Sequence, residues 1–230
     1  RCGMTFSLVA RCPDSGKFGV IVASSSPAVA ARCAFAEAGI GAIATQNVTD
    51  PSLGPRGLKL LRAEADALEV IDTLCDSAEY MEYRQLLVVD RYGGTASHSG
   101  AQLLGLGTEA AIPNAVAGGN MLADIGVPQA MITSFADTSE TGADIGECLI
   151  SALEAGRDAG GEAGPVHSAG MLIVDKVSWP VANLRIDWTE NDPVTELAAL
   201  WARYKPLMDD YVTRALDPTS APSYGVPGDA

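Results

Sequence analysis

Three short stretches of this sequence carry residue types that could do chemistry. Thr5 directly follows Met4, and removal of Met4 as an initiator methionine would leave one residue with both a hydroxyl and a free α-amine. An amine with a pKa of ~7.7–8.0 can take the hydroxyl proton near neutral pH, which makes the oxygen a nucleophile able to attack an amide carbonyl. Ser24, Ser25 and Ser26 supply three consecutive hydroxyls that could line a pocket next to Thr5, one of them polarising its amine. Asn120 follows Gly118-Gly119 and could donate its side-chain amide to a developing oxyanion, with the Gly119 backbone N–H beside it. Gln46, Asn47 and Ser168 are candidates for contacting substrate.

Each candidate competes with a plainer role. Thr5 is also an ordinary strand residue, and the three serines make a polar turn before Pro27. Gly118-Gly119 can end a strand and Asn120 can cap a helix, although a helix N-terminus is itself an anion site. Gln46 and Asn47 can satisfy loop backbone groups. His98 and His167 are the only histidines, and His167 and its neighbour Ser168 would point to opposite faces of a strand, which argues against a serine triad. Asp187 and Asp192 read as an acidic turn and a helix cap. Gly39-Ile40-Gly41 and Gly105-Leu106-Gly107 lack the third glycine and following acid of a dinucleotide site. No histidine pair has metal-ligand spacing. The expectation is no cofactor and no metal.

The elements that must position these residues begin with two apolar runs, Met4–Arg11 and Lys17–Ala23, joined by Pro13-Asp14-Ser15-Gly16. That pattern is a β-hairpin, and Gly19–Ala23 is apolar enough to be buried on both faces. Ala28–Ala38 reads as a helix or turn region closed by Gly39. Strand three follows at Gly39–Asn47, then helical periodicity through Leu58–Leu74, then a hairpin of Arg84–Asp90 with Thr95–Ser99. Ala111–Ala117 reads as a strand ended by Gly118-Gly119, and Asn120 as the start of a helix reaching Asp137. Gly142–Ala159 is a second helix, Ser168–Asp175 and Leu184–Trp188 are paired strands, and Asp192-Pro193 starts the last helix. Hairpins without regular β-α-β-α alternation favour an α+β layered sandwich of antiparallel sheets. Residues 1–217 are expected to form one domain, with 218–230 as a surface tail.

Composition narrows the partners. The 230 residues are 47% hydrophobic and 19% charged, enough to bury a large core. With 29 acidic against 15 basic residues, the net charge of −14 argues against nucleic acid or an anionic membrane. No apolar run reaches the ~20 residues of a membrane helix, and no signal peptide is evident. Five scattered cysteines without a CxxC read as reduced thiols, hence a cytoplasmic location.

An ordered set of stretches resembles the DUF1028 proteins, grouped with the N-terminal nucleophile (Ntn) hydrolases. It comprises MTFSLVAR at 4–11, GVIVAS at 19–24, GIGAIATQ at 39–46, GPRGLKLL at 54–61, RQLLVVD at 84–90 and SHSGA at 97–101. GGNML at 118–122, ALEAGRDAGGE at 152–162, SAGMLIVD at 168–175 and LRIDWTENDPVTELAAL at 184–200 continue it. The resemblance implies a four-layer αββα sandwich with its active site where the first strand begins. It also implies an N-terminal nucleophile, Thr5, that forms an acyl-enzyme with a small-molecule amide. Proteasome-type relatives set a lysine beside the threonine. Lys17, Lys59, Lys176 and Lys205 do not follow the second strand, so another group must assist here. The alternative is a non-catalytic ligand-binding or assembly protein on the same sandwich; a homo-oligomer is expected on either reading.

Overall fold

A computed structural model of the chain describes residues 5–226. Met4, Cys2 and the last four residues of the expected tail lie outside the described residues. The opening hairpin forms as β1 (Thr5–Arg11) and β2 (Phe18–Ser24), antiparallel, with Thr5 opposite Ser24. β2 is buried along its whole length, as an uninterrupted apolar run requires.

The alanine-rich run does not make one helix. It is a single turn, α1 (Ala30–Cys33), followed by strand β3 (Ala34–Glu37). β3 pairs with β4 (Gly41–Asn47), Ala34 opposite Ala44, so ladder bonds and close packing of small side chains override alanine's helix preference. Helices α2 (Leu53–Arg62) and α3 (Ala67–Ser77) come next, then a 3-10 turn at Met81–Tyr83 and the hairpin β5 (Arg84–Asp90) with β6 (Thr95–Ser99).

The strand expected at Ala111–Ala117 is instead a hairpin of two strands, β7 (Thr108–Ile112) and β8 (Ala115–Asn120). Gly118 and Gly119 continue β8 instead of ending it. A Cβ on Gly119 would stand 2.5 Å from the Leu122 side chain, so packing, not chain reversal, selects glycine there. Asn120 is the last residue of β8 and starts no helix; the helix, α4 (Val127–Glu140), begins seven residues later. The helix N-terminus anticipated at Asn120 is therefore absent.

The chain continues through α5 (Ile145–Asp158), β9 (Ser168–Val174), β10 (Ala182–Ile186) and α6 (Pro193–Tyr204), the last capped by the Asp192 side chain. A 3-10 turn at Lys205–Leu207 and α7 (Met208–Leu216) follow, and neither was anticipated. No helix among the described residues is long and apolar enough to cross a membrane.

The strands make two antiparallel sheets, one ordered β10-β9-β2-β1-β8-β7 and the other β3-β4-β5-β6. Alternation of side chains assigns the layers. Phe6, Leu8, Ile21, Ala117 and Met171 face Met131, Leu149 and Leu153 of α4 and α5, together with Leu197 and Trp201 of α6. On the opposite face of that sheet, Val9, Phe18, Val20, Val116 and Leu172 meet Ala42, Ala44, Leu87 and Val89 of the smaller sheet. Beyond it, Ile43, Leu86 and Val88 pack on Leu53, Leu58, Leu61, Val70 and Leu74 of α2 and α3. The result is the four-layer αββα sandwich of two antiparallel sheets, with β1 near the middle of the larger one. Each such buried aliphatic contributes ~1.5–3 kcal/mol over its exposed state.

Candidate active site

Register brings four of the candidate residues into one line. Thr5 lies opposite both Ser24 and Asn120, and Ser24 lies opposite Ser168. Directly opposed residues share a face, so Asn120, Thr5, Ser24 and Ser168 form a row across β8, β1, β2 and β9. All four have the parity of the residues between the sheets. Ser7 stands one step deeper on the same face, and Gln46 and Gln85, a register pair, project toward it from the smaller sheet. The apolar inter-sheet layer thus ends in a buried polar cluster. Asn120, Ser24, Ser168, Gln46 and Gln85 are fully buried, and Thr5 is 4% exposed.

Backbone carbonyls fix how the amides point, because a carbonyl only accepts. Gln46 Nε2 donates to Gly118 O at 3.2 Å and Gln85 Nε2 to Gly119 O at 3.1 Å. Their oxygens follow: Ser7 Oγ donates to Gln46 Oε1 at 2.6 Å, and Gln85 Oε1 accepts from Gln46 Nε2 at 2.8 Å. Gln85 Oε1 also accepts from Asn120 Nδ2 at 3.3 Å. Asn120 Oδ1 is left without a partner among the described residues although buried. The nitrogen expected to serve an oxyanion is engaged with Gln85, keeping one further N–H, and the open atom is an acceptor. Gly119, the other expected oxyanion donor, sits inside the sheet between β1 and β7.

A chain of hydroxyls runs from Thr5 outward. Thr5 Oγ1 donates to Ser24 Oγ at 3.4 Å, a long bond. Ser24 Oγ accepts from the Ser26 N–H at 3.0 Å and is hydrogen-bonded to Ser26 Oγ at 2.8 Å, where either hydroxyl can donate. Arg32 Nη2 donates to Ser26 Oγ at 3.0 Å, so a guanidinium stands at the far end. Ser168 Oγ donates to Ser26 O at 2.6 Å and accepts from Val29 N at 3.2 Å, which pins the turn.

Asn47 stands outside this cluster. Its Nδ2 donates to Tyr83 O at 2.6 Å and its Oδ1 accepts from Leu104 N at 3.2 Å, so both polar atoms serve loop backbones. His98 contacts Met81 O, and His167 stacks on Trp188 with centroids 4.2 Å apart. Asp187 pairs with Arg185. Burial alone would raise the Asp192 carboxyl; hydrogen bonds from Thr195 and Val194, with Arg157 beside it, outweigh that and hold it below the ordinary range. Burial pushes the Cys33 and Cys148 thiols up to about 11, away from reactive thiolate character.

Sequence reasoning missed Glu162. The Ser25 N–H donates to both its carboxylate oxygens, at 3.0 and 3.1 Å, across 137 residues of chain. Its backbone forms an isolated antiparallel bridge with Leu122. Ser25 lies one residue beyond Ser24 and Leu122 two beyond Asn120, so Glu162 ties the two flanking strands together just past the amino end of Thr5. It is 5% exposed, and burial raises its carboxyl to about 8 against the opposing Ser25 hydrogen bonds. A single glutamate after Gly160-Gly161 carries no local signal of this role.

Among solved structures, the chain is similar to protein SPO2555 from Silicibacter pomeroyi, described as a DUF1028 protein. Identity is 26% and the TM-score 0.79, over 87% of this chain and 88% of that one. Anbu (ancestral beta-subunit) from Yersinia bercovieri is similar at 10% identity and a TM-score of 0.38, over 90% and 97% of the two chains. No curated protein matches the chain. The model of a family of unknown function, DUF1028, matches residues 5–197, and the chain belongs to that family.

Proposed function

We propose that this protein is an amidohydrolase of the Ntn type, in which Thr5, once it is the terminal residue, cleaves a small-molecule amide. The observation that carries the reading is the Asn120-Thr5-Ser24 row: the first residue of a central strand bears a hydroxyl, flanked on one side by a hydroxyl chain and on the other by a buried amide. The Thr5 amine takes the proton from Oγ1, and Oγ1 attacks the amide carbon to give a tetrahedral oxyanion. The remaining Asn120 Nδ2 hydrogen is the side-chain donor available to that oxyanion. Collapse breaks the C–N bond as the Thr5 ammonium returns the proton to the departing amine. Water, deprotonated by the same amine, then hydrolyses the ester and frees the acid and Thr5. Ser24 orients Oγ1, and the Arg32–Ser26–Ser24 chain replaces the lysine of proteasome-type relatives.

Protein whose terminal residue is verified by mass as Thr5 tests this against a panel of small amides, reading release of ammonia or amine. Thr5→Ala should lower hydrolysis at least about 1,000-fold and Thr5→Ser should keep part of it. Wild-type rates in Thr5→Ala would end the proposal. The 4% exposure of Thr5 favours a second reading, a ligand-binding or assembly protein that keeps the sandwich without turnover. Ligand binding that survives Thr5→Ala, with no product over the whole panel, would support it.

A further inference from the structure

We propose that the cavity beside Glu162 binds a primary ammonium group carried by a small ligand, with Glu162 as its counter-ion. The cavity, about 360 Å³, lies between residues 160–167 and the start of α6. Its chemistry comes from Arg157, Glu162, His167, Glu190 and Asp192, with Phe6 forming an apolar wall. That volume falls in the lower part of the ~300–1,000 Å³ range of small-ligand sites.

The charge balance of the walls sets the sign of the ligand. Three carboxylates face one guanidinium, and that guanidinium is engaged: Arg157 Nε contacts Asp158 at 2.8 Å and Nη1 contacts Asp192 at 2.7 Å. No lysine, arginine or histidine among the described residues pairs with Glu162. A carboxyl that deep, lacking a cation, is costly to ionise, and a cation in the cavity would remove that cost. His167 adds an acceptor. Its Nδ1 lies 2.8 Å from Thr189 O, which only accepts, so the proton of the neutral ring sits on Nδ1 and Nε2 keeps its lone pair. Glu190 is already held by Trp188 Nε1 at 3.0 Å and lies 3.9 Å from His167 Nδ1, leaving Glu162 as the buried carboxyl without a charged partner among the described residues.

Geometry then chooses between cations. Both Glu162 oxygens share the Ser25 N–H, at 3.0 and 3.1 Å, so the fork that a planar guanidinium grips with two parallel bonds is occupied. An ammonium is a compact point charge with three donors and needs only one oxygen from the side. The site stands on the cavity alone and requires no turnover. Joined to the Thr5 reading, it restricts the substrate to an amide that also carries an amine.

Isothermal titration of the full-length protein with butylammonium, 1-butanol, butyrate and methylguanidinium tests the proposal. Butylammonium should saturate one site, tighter by at least about tenfold than each of the others, a comparison that needs no variant. Glu162→Gln should weaken butylammonium at least about tenfold and leave 1-butanol unchanged. At pH 7, binding to wild type should also release a proton, read as a dependence of the heat on buffer ionisation enthalpy. Absence of saturable butylammonium binding, equal binding of butyrate, or unchanged binding in a folded Glu162→Gln protein would each overturn it. None of these readouts involves amide hydrolysis, so failure here and failure of the Thr5 chemistry remain distinguishable.

Discussion

Ser7 and Gln46 meet across the sandwich, the Ser7 hydroxyl in the larger sheet donating to Gln46 Oε1 in the smaller one at 2.6 Å. That contact opens a buried chain which runs on through Gln85 to Asn120. Gln46→Leu would strand the buried Ser7 hydroxyl, while Gln85 Oε1 keeps Asn120 Nδ2 as a donor. An unsatisfied buried group costs ~1–3 kcal/mol, so urea denaturation should show a loss of about 1–3 kcal/mol. The double variant Ser7→Ala with Gln46→Leu should lose less than the sum of the two single changes, because it removes both sides of one bond.

Glu162 makes stability depend on pH in a direction opposite to that of a paired carboxylate. Its folded pKa is raised to about 8 from an ordinary 4.5, so between those values the folded chain holds a proton that the unfolded chain has lost. This contribution is complete below the unfolded value and disappears as pH rises through about 8. Unfolding free energies from urea titrations should therefore fall from pH 5 to pH 8, by at most about 1.4 kcal/mol per pH unit from this group. Glu162→Gln should flatten that slope; an equally steep slope in the variant would rule Glu162 out as its source.

Gly146 on α5 tests how tightly α6 is docked. A Cβ there would stand 2.2 Å from Trp201 Cζ2, in a rigid indole that cannot swing aside as a leucine terminus can. Gly146→Ala gains helix propensity of ~1 kcal/mol, and overpacking at ~1–3 kcal/mol works against it. Calorimetry should show a lower Tm for Gly146→Ala than for wild type.

Two capping boxes supply a further check. Asp66 accepts from Glu69 N while Asp66 N donates to Glu69, and Asp144 and Glu147 do the same on α5. Asp66→Ala should cost about 1 kcal/mol. Asp144→Ala should cost somewhat more, since Lys205 bridges Asp144 at 2.8 Å and also contacts Glu147, tying α5 to the end of α6. Thermal unfolding of the two variants compares them directly.

What sequence made legible followed from local periodicity. The opening hairpin, the strand at Arg84–Asp90 and the helix capped by Asp192 lie where alternation and cap chemistry put them. Misreadings arose where small residues served tertiary packing. Ala34–Glu37 is a strand because β4 accepts its ladder bonds, and Gly118-Gly119 continue a strand because neighbouring side chains need the room. Hence Asn120 closes β8, although its place after two glycines reads locally as a helix start. Thr5, Ser24 and Asn120 could be named from residue type, yet their shared row depends on pairings between distant strands. Ser7, Gln85 and Glu162 were invisible for the same reason: each acquires its partner only from another part of the chain.

The bridge from Glu162 to Ser25 and Leu122, together with Ser168 beside Ser24, has a consequence for biosynthesis. A nascent chain that has emerged only as far as α4 can already pair β1 with β2 and β8, yet the turn beyond Ser24 still lacks two of its anchors. Those arrive more than a hundred residues after the threonine has left the ribosome, and contacts that distant are slow to form. The hydrogen-bonded environment around Thr5 is therefore complete only once residues 162–168 have joined the fold, and any self-processing that needs it would have to wait for translation to pass residue 168.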